Sequence, residues 1–124
     1  MMKNQLIVNY VKRNKKLRRA GFKSYGDFIK SEKWLEIKKL AYSKLKKREC
    51  LFCHKESQDL HHVKYTKITS KTLTWIVPVC RKCHENIHSN KHDSIFRATR
   101  KYGEFMGLEK GFLRRRELKK LWIS

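Results

Sequence analysis

The chain has 124 residues, of which 40% are hydrophobic and 35% charged, and its 32 Lys/Arg against 11 Asp/Glu leave it at +21. A chain of this size holds one small core, and one with so little to bury often needs a metal or disulfide staple. No apolar run approaches the ~20 residues of a membrane span, and Leu6-Ile7-Val8, cut off by Asn9, falls short of the ~7–15 apolar residues of a signal-peptide core.

A cytoplasmic location is the expectation from that, with the four cysteines as reduced thiols. Pro78 is the sole proline and glycine is scarce, so neither a linker nor a low-complexity tract nor a repeat is visible. The charge is unevenly spread. Residues 1–48 hold 16 basic against 3 acidic side chains (+13), residues 49–92 hold 7 against 4 (+3), and residues 93–124 hold 9 against 4 (+5). Such an excess repels itself unless a polyanion lies nearby, and it suits counterion-releasing contact with a phosphate backbone. A soluble basic surface, or attachment to a ribosome or a membrane surface, is the alternative.

In the first region, Leu6, Ile7, Tyr10, Val11 and Leu17 fall roughly on one helical face, ringed by Lys12, Arg13, Lys15, Lys16, Arg18 and Arg19. Gly21 is a plausible stop. Ser31 is an N-cap candidate for a second helix over residues 32–47, with Trp34, Ile37, Leu40, Ala41 and Leu45 as its buried stripe. Lys38, Lys39, Lys46, Lys47 and Arg48 crowd its body and last turn and are the expected phosphate contacts. Nothing in them dictates base reading.

Residues 49–92 carry the chemistry. Cys50-x-x-Cys53 and Cys80-x-x-Cys83 are separated by 26 residues. Each pair brings two thiolates within reach of one ion, and two pairs complete a four-cysteine structural zinc site. A redox dithiol would want a single pair in a βαβ setting. Two strand-like runs, Asp59 to Tyr65 and Leu73 to Val79, lie between the pairs, and Pro78 places the second at an edge or an end. A helix follows from Cys80–Cys83 through His88, which makes a ββα unit clamped at its base. His84 and His88, four apart on that helix, share a face. His61 and His62 are neighbours on the first strand and normally point to opposite sides, so both serve one site only if the chain twists there. Because the cysteines already fill a zinc shell, the histidines are free to bind a second, open-coordinated divalent ion. His54 reads as a knuckle residue or a phosphate contact.

These residues resemble the HNH nucleases, in their zinc-stapled, small phage-type form, which have the ββα-metal (His-Me) fold. The likeness rests on Cys50-x-x-Cys53, Leu60-His61-His62-Val63-x-Tyr65, and Leu73-x-x-Ile76-Val77-Pro78-Val79-Cys80-Arg81-Lys82-Cys83-His84-Glu85-x-Ile87-His88, with Ser31-x-x-Trp34 ahead of them. It covers roughly residues 31–88. The resemblance implies that His62 is the general base and that His61 and His84 ligate a divalent ion, Mg²⁺, Mn²⁺ or another. It implies further that His88 completes the metal sphere or touches the phosphate. The expected reaction is hydrolysis of DNA, as duplex, to 5′-phosphate and 3′-hydroxyl ends. One departure stands out: the residue that orients the base, often Asn, falls at Thr74 or Trp75 here. A catalytically weak or inactive zinc-containing DNA-binding protein is therefore the alternative, and an RNA-associated zinc protein a more distant one.

In the last region Asp93 is placed as the cap of a helix with Ile95, Phe96, Ala98, Thr99 and Tyr102. Phe112, Leu113, Leu118, Leu121 and Trp122 suggest a final helix. Its basic run Arg114-Arg115-Arg116 reads either as a solvated face or as a DNA-contacting arm, and joins the candidate DNA contacts. The expected architecture is a small α+β domain: a basic helical region over 1–48, a zinc-stapled ββα-metal core over 49–92, and a basic helical extension over 93–124.

Overall fold

The computed structural model describes residues 5–66 and 68–123, with side chains from residue 10 onward. Its first helix, α1, runs Gln5–Arg19. It ends as the glycine foretold: Gly21 takes φ +96°, while the Gly21 N–H donates to Arg18 O and the Phe22 N–H to Leu17 O (2.9 Å). That paired closure satisfies carbonyls the helix end would otherwise leave bare. Leu17 is fully buried, whereas Val11 is half exposed, so the buried stripe on the described part of α1 is narrower than its apolar composition suggests. Leu6 and Ile7 lie outside the residues whose side chains are described.

A short helix, α2 (Tyr25–Ile29), was not foreseen. Five residues are too few to show a period, although Ser24 caps it by accepting from the Asp27 N–H at 3.1 Å. In α3 (Glu32–Lys44), Ser31 is the N-cap and accepts from the Trp34 N–H. The helix stops before the expected Lys47 because the chain end competes for it. Leu45 turns extended and bridges Trp122, the Lys46 N–H donates to Leu121 O, and the Ile123 N–H donates to Lys44 O at 2.6 Å.

The sheet is one antiparallel hairpin, β1 (Asp59–His62) against β2 (Ile76–Val79), in the register Asp59↔Val79, Leu60↔Pro78, His61↔Val77, His62↔Ile76. Both strands are shorter than their sequence runs. Every residue of β2 is buried, so this hairpin has no wet face. Leu60 and Ile76 join Leu17, Phe28, Trp34, Ile37 and Ala41 in one apolar cluster. Val77 and Val79 join the cysteines, Ile87, Ile95, Ala98, Leu113 and Leu118 in the other. The hairpin is thus a partition, with α1–α3 on one side and the C-terminal helices on the other.

Directly after β2 comes α4 (Arg81–His88), capped by the Cys80 sulfur, which accepts from the Cys83 N–H at 3.4 Å. In α5 (Ile95–Phe105) the N-cap is Ser94, which accepts from the Arg97 N–H, and not Asp93. Asp93 instead accepts from Lys101 Nζ (2.7 Å) and Asn90 Nδ2 (2.9 Å), a stronger use for a carboxylate among cations. A crossing of bare backbones follows: a Cβ at Gly103 would lie 2.6 Å from Gly111 Cα, and Gly111 itself has φ +64°. The expected last helix is broken into a 3₁₀ turn (Glu109–Phe112), α6 (Arg115–Leu118) and a second 3₁₀ turn (Lys119–Leu121). Positive φ at Lys110 and Phe112 forbids anything longer. The whole is a small α+β structure, and among the described residues no helix is long and apolar enough to cross a membrane.

Candidate functional site

The cysteine pairs meet. The Sγ atoms of Cys50, Cys53, Cys80 and Cys83 all lie within 4.8 Å of one another, with Cys53 and Cys80 3.5 Å apart. A tetrahedral zinc with ~2.3 Å bonds to sulfur has sulfur–sulfur edges of about 3.8 Å, so the cluster has the size and donor set of a zinc site. The turn after the first pair is shaped for it, since His54 adopts φ +64° and its N–H donates to Cys50 O at 3.0 Å. Its exposed side chain lies 3.6 Å from Glu49. Burial, reinforced by neighbouring sulfurs, pushes the Cys83 thiol well up and Cys53 up. Burial also raises Cys80, but the hydrogen bond from the Cys83 N–H and those with the other thiols outweigh it and bring Cys80 down to about 7. Four sulfurs this close repel one another as thiolates, and a divalent cation removes that repulsion. Tyr102, from α5, closes the outside: its hydroxyl donates to Cys83 Sγ at 3.0 Å and its ring meets Phe52 edge-on at 5.2 Å.

Three of the histidines also meet. One ring nitrogen from each of His61, His84 and His88 lies within 4.8 Å of the other two, and His84 Nε2 and His88 Nε2 are 3.1 Å apart. Each of two rings is held from behind. Asp59 Oδ2 accepts from His84 Nδ1–H at 3.2 Å, which leaves His84 Nε2 with the lone pair. Arg81 Nη2 holds the other carboxylate oxygen at 3.4 Å. Thr99 donates its hydroxyl proton to Ile95 O at 2.6 Å and so accepts from His61 Nε2–H at 2.9 Å, which leaves His61 Nδ1 with the lone pair. Carboxylate and hydroxyl partners behind ligand imidazoles are the usual outer shell of a metal site. The donor set fits a divalent ion with open positions. Burial lowers His61 well below the ordinary imidazole range, and burial followed by the nearby His84 brings His88 to about 4, so both rings are neutral at pH 7.

His62 is placed differently. The pleat sends His61 toward α4 and α5, and sends His62 toward α3, where its ring lies 5.1 Å from that of Trp34 and 6.1 Å from Tyr65. It is 95% covered (5% exposed), and among the described residues none bonds its Nε2. Neither Thr74 nor Trp75 provides that bond; packing holds the ring. Burial, then the nearby His84 and the Arg13 guanidinium, lower it to about 4. Arg13 also acts on His88, so His62 and His88 share one electrostatic neighbourhood although their rings are on different sides of the strand. The Arg13 guanidinium is lodged over Tyr25 (3.9 Å), Tyr10 (4.4 Å) and Tyr65 (5.5 Å).

The expected phosphate contacts are scattered. Lys39, Lys46, Lys47 and Arg48 are exposed and Lys38 is half-buried, with Arg48 over the Tyr42 ring at 4.6 Å. Arg114, Arg115 and Arg116 are exposed at the start of α6, where Glu117 pairs with Arg116 (3.9 Å) and Lys120 (3.0 Å). His92 is exposed and outside the histidine cluster.

Sequence reasoning overlooked Asp59, Thr99 and Arg13. Asp59 carried a signal: two residues before His61 on a strand, it lies on the same face. Thr99 and Arg13 carried none, being 38 and 48 residues from His61 along the chain. No family model, no curated protein and no solved structure matches the chain.

Proposed function

We propose that this chain is a metal-dependent DNA endonuclease of the HNH kind, with zinc in the four-cysteine site and a divalent ion (Mg²⁺, Mn²⁺ or another, such as Ni²⁺, that imidazole suits better) held by His61, His84 and His88. The observation that carries the reading is the convergence of three imidazoles within 4.8 Å, backed by Asp59 and Thr99, in a chain of +21. The hairpin-then-helix order of β1, β2 and α4 agrees with the ββα-metal resemblance.

A divalent ion in that position supplies Lewis-acid stabilisation for charge gathering on the scissile phosphate and the departing 3′ oxygen. The chain's own residues do the rest. His62, held neutral by its burial, takes the proton of the attacking water at Nε2, the ring nitrogen that has no other partner. Only 5% of His62 is exposed, so this role requires that the Trp34 or Tyr65 ring move aside to admit water. Arg13 adds a fixed positive charge on the same side.

The burial of His62 against Trp34 also supports a second reading, a DNA-binding protein with little or no catalysis. Plasmid nicking with Mg²⁺, Mn²⁺ and Ni²⁺ separates the two, with His84→Ala and His62→Gln as controls. The endonuclease reading expects metal-dependent nicking that both substitutions abolish. A wild-type chain that retards the plasmid in a gel yet leaves it intact with all three ions gives the second reading.

A further inference from the structure

We propose that the DNA strand runs along the α1 side of the site, with a backbone phosphate seated in the cavity between α1, the segment after β1 and the start of α5, where Lys12, Lys16 and Lys64 hold it. This deepens, and rests on, the nuclease reading above. The cavity has a volume of about 180 Å³ and is lined by those three lysines together with Tyr65, Thr66, Ser94, Ile95 and Phe96. At ~30 Å³ per water, that is room for roughly six waters, enough for a phosphate group with part of its shell. Among the described lining residues there is no carboxylate.

Two of the ammonium groups are positioned by partners that leave their charge uncompensated. Lys16 Nζ donates to Tyr65 O at 3.3 Å. Lys64 Nζ lies over the Trp75 ring at 4.3 Å and the Phe96 ring at 4.6 Å. A carbonyl and two π faces fix a cation in place without cancelling it, whereas Arg116 and Lys120 at the other end of the chain share Glu117. The first-turn N–H groups of α5, at Ile95 and Phe96, add a positive helix end to the same wall.

A single residue, Tyr65, links the cavity to His62. Tyr65 lines the cavity, stands 6.1 Å from the His62 ring and forms one side of the Arg13 cradle. Arg13 in turn acts on His62 and His88. A strand held by the three lysines therefore passes the His62 side of the hairpin, where Tyr65 and Arg13 stand. The contacts that matter for affinity are then those of α1 and Lys64, ahead of the Arg114–Arg116 run.

The test compares two charge-matched variants of the full-length, zinc-loaded chain. In one, Lys12, Lys16 and Lys64 are changed to Gln; in the other, Arg114, Arg115 and Arg116 are changed to Gln. Binding to a short duplex is followed by fluorescence anisotropy from 50 to 300 mM NaCl, and nicking is measured alongside. The first variant is expected to bind about tenfold or more weakly at 0.1 M salt, with its log–log salt slope reduced by about 2.7 for three lost phosphate contacts. The second should lose under half of that. Equal losses, or a greater loss in the arginine variant, overturn the proposal. Wild-type chain that binds but cuts nothing, with the two variants still separated as expected, sinks the nuclease reading and leaves the strand path standing. Cleaving wild type with equal variants does the reverse. Should loss of the Lys64–ring contacts unfold the triple variant, Lys12→Gln/Lys16→Gln, changed only at exposed positions, must still lower the slope by about 1.8 or the proposal fails.

Discussion

The sulfur cluster and the imidazole cluster are built by the same helix, yet they are opposites. Cys80 and Cys83 belong to the first turn of α4, and His84 and His88 follow on it. Successive residues on a helix are about 100° apart, so Cys83 faces inward, 3% exposed, while His84 looks toward Asp59 with 27% of its side chain exposed. Four soft donors under a Tyr102 lid make a shell with no place left for another ligand. Three nitrogen donors, two of them fixed from behind, leave positions open. Closed coordination stabilises a fold, and open coordination supports chemistry. Adjacent residues of one helix therefore serve a cluster that could hold a structural metal ion and the cluster proposed as reactive, and damage to either should be tellable from damage to the other.

The largest expected effect breaks the staple. Cys83→Ser should leave the chain unfolded at 25 °C by far-UV circular dichroism and without bound zinc, because apparent structural-zinc free energies run ~10–16 kcal/mol. His84→Ala should keep both its zinc and its cooperative melt. Similar unfolding in both variants would erase the distinction between the clusters.

Next comes pH. His62 is held near 4 by burial, against ~6.5 in an unfolded chain. Between those values the unfolded state binds a proton that the folded state refuses, so its contribution is complete above about pH 6.5 and drains away as pH falls toward 4. For zinc-loaded protein without a second divalent ion, urea melts should show a loss on the order of 3 kcal/mol from this residue across that window. His62→Phe should shrink the loss across that window by about that amount, leaving the part contributed by His61 and His88. An unchanged profile would mean that His62 is not the buried neutral ring described. Because the His62 ring packs on Trp34, His62→Ala leaves a cavity, so Gln and Phe are the better probes.

A smaller effect sharpens the imidazole side. Thr99→Val removes the acceptor for His61 Nε2–H and frees that ring to choose the other tautomer. Isothermal titration with Mn²⁺ should show roughly 10–100-fold weaker binding, and stability should fall by about 1–3 kcal/mol for the unsatisfied buried donor. Zinc content should not change. The smallest effect lies on the sulfur side: His54→Gly relieves a left-handed residue and should raise the melting free energy by at most about 1 kcal/mol, with DNA affinity unmoved if His54 is a knuckle residue rather than a phosphate contact.

What the sequence determined by itself was everything that depends on spacing within one element or one turn. Two Cys-x-x-Cys turns around a hairpin bring four sulfurs into one cluster that could hold a metal ion. Ser31 had to cap a helix whose stripe is Trp34, Ile37 and Ala41, and a four-residue interval put His84 and His88 on one face. Periods of 2 and 3.6 carry that information locally. What only the tertiary structure decided was which distant groups stand behind and beside those ligands. Thr99 reaches His61 from α5, Arg13 reaches His62 and His88 from α1, Lys16 and Lys64 share a cavity, and Trp34 covers the ring read as the base. The chain end also unwound the last turn of α3, which local propensity favoured as helix. Such contacts join segments tens of residues apart, and they are chosen by how the two sides of a buried hairpin fill with side chains, a matter of packing that no local period encodes.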